Sequence, residues 1–264
     1  MGADRSARAD AQRLRAMDLE THLADPALRQ QFVTPMFDVI APRYDDFTRI
    51  FSLGMDRGWK RELIAAVKDV AVAGAAGLDL ACGTGDLAFD IARVVPGAHV
   101  IGLDASPAMV AAANERAVHE RAVGGRSPDV RFAVGDMSRL DVDDGAVDLV
   151  TAGYGFRNVP DHRVALREAA RVLKPGGHLL TLDFYRPANP VWRALLVAYL
   201  TVAGGVIGWL WHRVPVVYAY LGPSVEHFVS WQQFSRDLAE AGFAVERVER
   251  KLFGGIAIHR ARRR

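Results

Sequence analysis

The sequence has almost no cysteine and shows no apolar signal core at its start. Cys82 is the only cysteine, so an internal disulfide or a cysteine metal cluster is excluded. The first residues also include Asp4 and Asp10, which are untypical of a transit peptide. We therefore expect a cytoplasmic protein. We interpret Cys82 as a small packed residue rather than as a nucleophile.

An excess of one charge is also absent. The formal net charge is only +2, and we find no basic patch interleaved with aromatic residues, so no nucleic-acid partner is expected. The eight histidines show no metal-ligand spacing, and no metal is expected. Arginines do cluster near both ends of the chain, within residues 5–15 and 260–264. Either they are simply solvated or they are weakly attracted to an anionic membrane surface.

What the sequence does have is an alternation of apolar and amphipathic segments. Its 264 residues, half of them hydrophobic, suffice for one sizeable core. Strands are predicted at residues 77–81, 99–103, 130–134, 147–152, 178–184, 244–249 and 255–259. Because helical stretches separate most of them, the predicted fold class is α/β, with a seven-stranded, doubly wound, mostly parallel sheet. The last connection is short enough only for a hairpin, so one terminal strand should be antiparallel.

The flanking segments indicate the domain organisation. Residues 1–25 are polar and mixed in charge, and they are predicted to be a flexible tail before a single domain at residues 26–264. Within that domain, residues 26–75 should form a helical cap. Its first amphipathic segment is expected to be interrupted at Pro35 and Pro42.

A helical insertion is predicted between the fifth and sixth strands, at residues 188–230. Within it, residues 194–211 carry no charge, which makes them a borderline transmembrane candidate. A single span is disfavoured because the strands on either side must join one sheet. Gly204 and Gly205 instead predict a break into two short helices. A lid or substrate tunnel, a surface that dips into the membrane and ordinary core all stay open.

The most informative motif is a glycine loop after the first strand, at residues 83–86, with Asp104 at the tip of the second strand. Such a loop lets a nucleotide-like ligand approach the backbone, and the acid can hold ribose hydroxyls. The glycines also fit a dinucleotide pattern. A diphosphate at the helix N-terminus would, however, meet the carboxylate of Asp86, which a cationic sulfonium tolerates. This contrast favours S-adenosylmethionine over a nicotinamide or flavin cofactor.

An acid after the third strand supports the same nucleoside. The carboxylate of Asp136 can accept a hydrogen bond from an adenine amino group, and the amide of Met137 can donate to the ring. The side chain of Met109 can pack against the adenine face. Two acids at neighbouring strand tips therefore predict one nucleoside pocket.

Together these residues resemble the ubiquinone/menaquinone biosynthesis C-methyltransferase family, within the class I S-adenosylmethionine-dependent methyltransferases. The resemblance covers nearly everything from about Phe32 onward, and its most particular run is Phe156-Arg157-Asn158-Val159. Other matching segments are 37–45, 57–60, 78–86, 171–177, 220–224, 241–243 and 254–259. The resemblance implies S-adenosylmethionine as the cofactor. The cofactor-binding residues that we expect are Asp79, Gly83, Thr84, Gly85, Asp104, Ala105, Met109, Asp136, Met137 and Gly153.

The chain departs from this family in three places. Gly153 stands where a serine is common, so only the backbone can make a contact there. The run Asp183-Phe184-Tyr185 replaces the usual Glu-Phe-Ser, and residues 191–211 are unusually apolar. These departures leave the fold prediction unchanged and bear on the acceptor.

The end of the fourth strand supplies the catalytic candidates Arg157 and Asn158, which we group with Tyr44. A hydroquinone carbon becomes nucleophilic once a hydroxyl is deprotonated, so the protein has to position the ring, stabilise the phenolate and exclude water. The guanidinium of Arg157 stays protonated, and we expect it to stabilise the phenolate or to orient a water that takes the proton. The alternative is that Arg157 pairs with an acid at the sheet margin. Asn158 would orient the reacting group, and Tyr44 would close over the cofactor.

Weaker candidates lie further along the chain. His259 is a conceivable base, but a histidine on a terminal strand is more often a core residue. Tyr220, Glu226 and His227 are predicted to line the substrate pocket.

These features predict an S-adenosylmethionine-dependent methyltransferase that acts on a ring carbon of a prenylated quinol, either demethylmenaquinol or a ubiquinol precursor. A lipid-soluble acceptor requires an apolar groove or peripheral contact with the inner face of the membrane. Whether two copies form a homodimer is left open. Two alternatives also stay open: a methyltransferase for a polyketide, phenol or lipid amine, and a protein that binds the cofactor without methyl transfer.

Overall fold

The computed structural model describes residues 10–14, 17–123 and 129–264, so residues 1–9, 15 and 16 of the tail predicted at residues 1–25 lie outside the described residues. Seven strands form one sheet in the order β3-β2-β1-β4-β5-β7-β6. They are β1 Ala76–Leu80, β2 His99–Asp104, β3 Asp129–Val134, β4 Val147–Gly153, β5 Leu173–Phe184, β6 Phe243–Lys251 and β7 Ile256–Arg263. Neighbouring pairs among β1 to β5 are parallel, whereas β7 is antiparallel to both β5 and β6. The predicted α/β sheet with one antiparallel terminal strand is confirmed.

Helices cover both faces of this sheet and form a cap over the carboxyl ends of its parallel strands. They are α1 Leu19–Ala24, α2 Pro26–Ile40, α3 Tyr44–Phe51, α4 Met55–Val70, α5 Asp86–Val94, α6 Pro107–Val123, α7 His162–Val172, α8 Pro190–His212, α9 Val216–Ala219, α10 Leu221–His227 and α11 Trp231–Glu240. Helices α4, α5 and α6 pack on one face, and α7 and α11 pack on the other. The remaining helices share a third apolar cluster, which forms the cap.

The strand order creates a crevice in the middle of the sheet. From β1 the chain moves outward through β2 and β3, and it then returns to β4 on the other side of β1. The helices that follow β1 and β4 lie on opposite faces, so the loops at residues 81–86 and 153–158 diverge from one edge. In open α/β sheets, ligands bind at such a point.

The structure contains a helix and buried side chains before the boundary expected at residue 25. Helix α1 precedes that residue, and the Asp18 side chain caps it by accepting the N–H of Thr21 at 3.0 Å. Leu14 and Leu23 are buried in the cap cluster. Burial of these leucines removes apolar surface from water and so anchors this part of the segment. The rest of the domain division stays a prediction.

Of the two prolines expected to interrupt the cap, only Pro42 does. Pro35 lies inside α2, where it removes one backbone hydrogen bond to the carbonyl of Gln31. Gln31 is exposed, so water can solvate the released carbonyl. Pro42 lies in a 3-10 turn, Ala41–Arg43, which separates α2 from α3.

The prediction that Gly204 and Gly205 break the insertion is wrong, because α8 is one helix of 23 residues. A Cβ on Gly204 would lie 2.5 Å from the carbonyl oxygen of Tyr218, so the glycine lets the returning chain approach α8 closely. The helix ends at Arg213, whose φ is 57°. It is long and apolar enough to cross a membrane by length and composition. Since the flanking strands β5 and β6 lie in one sheet, a single crossing is excluded.

Candidate functional site

The glycine loop after β1 is held by the tip of β2. The N–H of Cys82 donates to the carbonyl oxygen of Leu103 at 3.0 Å, and the N–H of Gly83 donates to Asp104 Oδ2 at 2.8 Å. The other carboxylate oxygen of Asp104 accepts the N–H of Ser106 at 2.8 Å. Burial raises the pKa of Asp104, and these two N–H donors oppose that shift. The carboxylate is thereby fixed at the strand tips, with lone pairs left for a ligand.

A cavity opens beside this loop, between the strand tips and helices α2 and α3, and we call it the cofactor cavity. Its walls bring together many of the residues predicted from sequence: Tyr44, Gly83, Asp104, Ala105, Met109, Asp136, Met137, Gly153 and Asn158. These residues come from the cap and from loops after four different strands. The structure therefore places both predicted acids and two catalytic candidates around one space.

Three of the predicted cofactor residues lie outside that cavity. Asp79 and Thr84 line a smaller adjoining space. The hydroxyl of Thr84 donates to Asp45 at 2.7 Å, and that of Thr151 donates to Asp79 at 2.7 Å. Burial raises the pKa of Asp79 to about 7. Gly85 has a φ of 89° and lies so close to an aromatic ring that a Cβ there would collide with it at 2.5 Å.

The charge argument based on Asp86 needs correction. Asp86 begins α5, but its carboxylate lies 3.0 Å from Lys60 Nζ and 2.5 Å from Arg116 Nη1. Although burial opposes the charge, these cations lower the pKa of Asp86 to about 2. The two positive charges compensate the repulsion expected for a phosphate. The acids that do line the cofactor cavity are Asp104 and Asp136.

The cofactor cavity fits an adenosine that carries a cationic sulfur. Asp104 and Asp136 present acceptor lone pairs for hydroxyl and amino groups. Met109 and Met137 are 1% and 6% exposed, and they supply the apolar surfaces that an adenine ring requires. Oδ1 of Asn158 is buried without a hydrogen-bond partner, so a donor on a ligand would satisfy it. The individual contacts to the cofactor stay predictions.

A second cavity, which we call the acceptor cavity, adjoins the first. Phe37, Tyr44 and Tyr154 line both of them. Half of the other residues that line the acceptor cavity are aromatic. The full set is Ile40, Phe47, Thr48, Phe51, Ser52, Asp56, Trp59, Arg157, Phe184, Tyr218, Tyr220 and Leu221. Aromatic walls favour a flat apolar ring, and the shared tyrosines place such a ring next to the cofactor cavity.

Arg157 lies in the wall of the acceptor cavity, just after β4. Its Nη1 donates to Asp183 Oδ1 at 2.7 Å and to the carbonyl oxygen of Tyr154 at 2.8 Å. Its Nη2 donates to the hydroxyl of Tyr220 at 3.5 Å, and its Nε is buried without a partner. Although burial opposes the charge, Tyr220 and Asp183 hold the pKa of Arg157 above its usual value. Arg157 thus pairs with an acid, as the alternative stated, and also faces the space for an acceptor.

Sequence reasoning missed the residues that connect the acceptor cavity to α4. The hydroxyl of Tyr154 donates to Asp56 Oδ1 at 2.8 Å, and Lys60 Nζ lies 2.9 Å from Asp56 Oδ2. The place of Tyr154 directly after β4 is a usable signal, because Tyr154 lies two residues before the run that begins at Phe156 and includes Arg157. Nothing local marks Asp56, because tertiary packing alone brings α4 to the site.

The weaker candidates differ in whether they line the acceptor cavity. Tyr220 is 2% exposed and lines the acceptor cavity. Glu226 and His227 are not among the residues that line the acceptor cavity. Oε1 of Glu226 lies 3.6 Å from Nε of Arg193. His259 is fully buried away from both cavities, and burial lowers its pKa to about 4. A neutral, enclosed His259 fits the core interpretation rather than a base.

Comparison with known proteins agrees with this geometry. Residues 26–263 match the ubiE/COQ5 methyltransferase family. The chain is 40% identical over 228 residues to a demethylmenaquinone methyltransferase of Thermus thermophilus. The aligned region covers 85% of this chain and 98% of that protein. It is 39% identical over 231 residues to a ubiquinone/menaquinone biosynthesis C-methyltransferase UbiE of Syntrophotalea carbinolica, with 86% and 91% covered.

Solved structures share the fold at lower identity. A SAM-dependent methyltransferase from Aquifex aeolicus aligns with a TM-score of 0.53 and 19% identity, covering 75% of this chain and 87% of that one. A geranyl diphosphate C-methyltransferase from Streptomyces coelicolor, solved with S-adenosyl-L-homocysteine, aligns with a TM-score of 0.57 and 19% identity, covering 76% and 78%. At these identities the likeness shows the fold alone.

Proposed function

Because this chain belongs to the ubiE/COQ5 methyltransferase family, we propose that it methylates a ring carbon of a prenylated quinol, either demethylmenaquinol or a ubiquinol precursor. The chain is an S-adenosylmethionine-dependent methyltransferase. One observation carries the acceptor assignment: a carboxylate-lined cavity and an aromatic cavity with a buried arginine share the walls Phe37, Tyr44 and Tyr154.

S-adenosylmethionine supplies the methyl group, and the residues of the chain bind, orient and shield the reactants. Asp104 and Asp136 hold the nucleoside, and the aromatic walls exclude water from the acceptor. Arg157 stabilises the negative charge that develops on the quinol oxygen. The side-chain amide of Asn158 donates at 3.1 Å to the same backbone carbonyl as Arg157, and so helps to fix the end of β4. Tyr44 lies between the two cavities and keeps solvent from the junction.

A methyl-transfer assay tests this function. The enzyme is given S-adenosylmethionine with a labelled methyl group and a panel of acceptors under anaerobic conditions. The panel contains chemically reduced quinols, a simple phenol, a polyketide and a lipid amine. We expect the label on a quinol ring carbon, located by mass spectrometry and carbon NMR. Methyl on oxygen or nitrogen would contradict the proposal, and tight cofactor binding without any product would indicate a binding protein.

We also propose that this cytoplasmic enzyme works at the inner surface of the membrane. The exposed side of α8 carries a continuous apolar stripe, which consists of Val191, Leu195, Tyr199, Val202, Val206, Trp209 and Leu210. Its spacing of three or four residues keeps it on one helix face. Two loop tips, Leu53 and Phe253, are 79% and 88% exposed and add to the apolar surface. The ring of Phe253 packs at 5.5 Å from that of Trp192, so this tip adjoins α8.

Charge at the end of the stripe fits a lipid headgroup region. The guanidinium of Arg213 lies 4.8 Å from the ring of Trp209, and that of Arg43 lies 5.5 Å from the ring of Trp211. Tryptophan beside arginine is typical of the boundary between acyl chains and anionic headgroups. We therefore propose a lipid bilayer, rather than another protein, as the partner of the stripe.

The acceptor cavity reaches this stripe through a single layer of side chains. Phe51 lines the cavity, and its ring stacks on that of the stripe residue Tyr199 at 5.6 Å. A prenyl tail that leaves the cavity here would enter the bilayer, while the quinol ring stays beside Arg157. This route explains why an apolar helix adjoins a site for a lipid-soluble acceptor.

Vesicle flotation tests the membrane proposal. We expect binding to vesicles that contain phosphatidylglycerol, and a loss on the order of tenfold when Val202, Val206 and Leu210 are all replaced by serine. Val118→Ser is the matched control, because Val118 is 64% exposed on α6, away from the stripe. Unchanged binding by the triple variant would contradict the proposal. A dimer in sedimentation that the same variant abolishes would instead identify the stripe as a homodimer interface.

A further inference from the structure

We propose that Asp56 is the catalytic base, which takes the hydroxyl proton of the acceptor and passes it to a charged cleft on the outer side of α4. This inference rests on the proposed function, and it assigns a step that Arg157 does not perform. Of the described residues that line the acceptor cavity, Asp56 is the only one with a carboxylate side chain. Its side chain is nearly enclosed, since the residue is 5% exposed.

The other ionisable side chains that line the acceptor cavity are one arginine and four tyrosines. Arg157 is held in its charged form by Asp183 and Tyr220, as described above. Burial raises the pKa values of Tyr44, Tyr154 and Tyr220, so their phenols stay protonated. The cavity therefore contains one cation that favours a phenolate and one carboxylate that accepts its proton.

The carboxylate of Asp56 is held from two sides. Tyr154 donates to Oδ1 at 2.8 Å from the end of β4, and Lys60 lies 2.9 Å from Oδ2 on the same helix. A carboxylate has about four acceptor positions, so both oxygens keep a lone pair for an acceptor hydroxyl. Tyr154, which lines both cavities, is thus a positioning residue that fixes the base in the wall of the acceptor cavity.

Asp56 also faces a second space, which provides a route for the proton. It lines a wide charged cleft together with Asp45, Asp46, Thr48, Arg49, Arg57, Lys60, Arg61, Asp86, Asp90 and Arg116. Acidic and basic side chains are equal in number in this cleft, so the cleft is strongly polar without a large net charge. Only Thr48 and Asp56 line both this cleft and the acceptor cavity among the described residues. Asp56 therefore connects an apolar chamber to a polar one.

The proposed step conserves atoms and charge. The O–H bond of the acceptor breaks, its electron pair stays on oxygen beside Arg157, and the proton moves to a carboxylate oxygen of Asp56. The ring carbon then forms a bond to the methyl carbon, and the sulfur keeps the electron pair of the bond that breaks. Loss of the hydrogen on that ring carbon and return of a proton to the oxygen restore the aromatic quinol. One proton is released overall, through the charged cleft.

Asp56→Asn removes the base and keeps its shape. General base catalysis typically contributes on the order of 10²–10⁴-fold, so we expect kcat near pH 7 to fall by about 100-fold or more. The affinity for S-adenosylhomocysteine, measured by calorimetry, should be unchanged. Asp69→Asn is the control, because Asp69 is an exposed acid on the same helix and lines neither the acceptor cavity nor the charged cleft. It should leave kcat unchanged.

The acidity of the acceptor distinguishes a base from a structural acid. We use a reduced 2-prenyl-1,4-naphthoquinol and a ring-fluorinated analogue whose hydroxyl ionises more readily, and we follow kcat against pH. The loss in Asp56→Asn should shrink with the fluorinated acceptor and at high pH, where the acceptor ionises without help. Asp56→Glu keeps the charge beside Lys60, which safeguards the fold, and should retain more activity than Asp56→Asn.

Two outcomes would overturn the inference. One is full activity of Asp56→Asn. The other is a loss of the same size with both acceptors at every pH, which would make Asp56 a structural partner of Lys60. Wild-type enzyme that methylates neither quinol would overturn the proposed function itself, and the inference with it. Active wild-type enzyme with an insensitive variant would overturn only the role of Asp56.

Discussion

The two cavities of this protein are built in different ways. The backbone shapes the cofactor cavity, where Asp104 is held by N–H groups of the loops that follow β1 and β2. Side chains from distant helices shape the acceptor cavity, and its charged residues are Asp56 and Arg157, which pairs with the buried Asp183. The difference teaches that affinity for the cofactor and chemistry on the acceptor are separable. A change on one side should leave the function of the other side intact.

The largest effect is expected from Arg157→Ala, on the acceptor side. Arg157 and Asp183 are 5% and 1% exposed, so the variant leaves an uncompensated buried carboxylate. We expect a loss of about 3–5 kcal/mol in the free energy of unfolding. Loss of phenolate stabilisation should lower kcat on the order of 10²–10³-fold. The affinity for S-adenosylhomocysteine should stay unchanged in calorimetry.

A double variant separates stability from catalysis at this pair. Arg157→Met together with Asp183→Leu removes both charges, so thermal unfolding should return toward the wild-type value. The enzyme should nevertheless stay inactive, because no cation faces the acceptor. Arg157→Lys should keep cofactor affinity and lose turnover, since a lysine does not reproduce the guanidinium geometry. Equal losses of affinity and turnover in these variants would show that Arg157 is structural.

On the cofactor side, Asp104→Ala should weaken cofactor binding and leave the chemical step on the acceptor intact. It removes a carboxylate that we propose binds the nucleoside and that also orders the N–H groups of Gly83 and Ser106. A hydrogen bond to a charged group contributes about 1.5–3 kcal/mol, so we expect the Kd of S-adenosylhomocysteine to rise on the order of 10–100-fold. At saturating cofactor, kcat should recover. Asp141→Ala, at an exposed acid outside both cavities, is the control. An effect confined to the acceptor KM would refute the assignment.

The smallest effect on activity is expected at His259, which lies outside both cavities. Burial lowers its pKa from 6.5 to about 4, with partial opposition from the carbonyl of Trp231. Between these two pH values the unfolded chain binds a proton that the folded protein does not. The free energy of unfolding should therefore fall as the pH drops from 6.5 to 4, by roughly 3 kcal/mol at most.

The variant His259→Asn isolates this contribution. Denaturant titrations across the same pH range should show a weaker acid destabilisation than in the wild-type protein. Turnover at neutral pH should be unaffected, because the imidazole contacts Tyr185 and Ser235 rather than an acceptor. A large loss of kcat without a loss of stability would revive His259 as a base.

The cofactor half could be predicted from the sequence because its signals are local. A glycine loop and Asp104 at the next strand tip predict a nucleoside site, and the structure brings Gly83 and Asp104 to one cavity. The charge argument from Asp86 failed because Lys60 and Arg116 come from other helices, which no local pattern places beside it. The acceptor half depends on contacts of that kind throughout.

The insertion shows the same limit in another form. Glycine in an apolar segment indicates either a helix break or a close approach of another backbone. The sequence alone favoured a break at Gly204, whereas the structure uses that glycine for contact with the carbonyl of Tyr218. Likewise, no pattern in the sequence of α4 marks Asp56 as a site residue. Only its hydrogen bond from the Tyr154 hydroxyl connects it to the site.

The most direct test of the two-cavity account is a crystal structure of the enzyme with S-adenosylhomocysteine and a prenylated naphthoquinone together. The account predicts the adenosine between Asp104 and Asp136, the quinone ring beside Arg157 and Asp56, and the prenyl tail directed past Phe51 toward α8. A nucleoside bound away from those two acids, or a quinone outside the aromatic cavity, would contradict it.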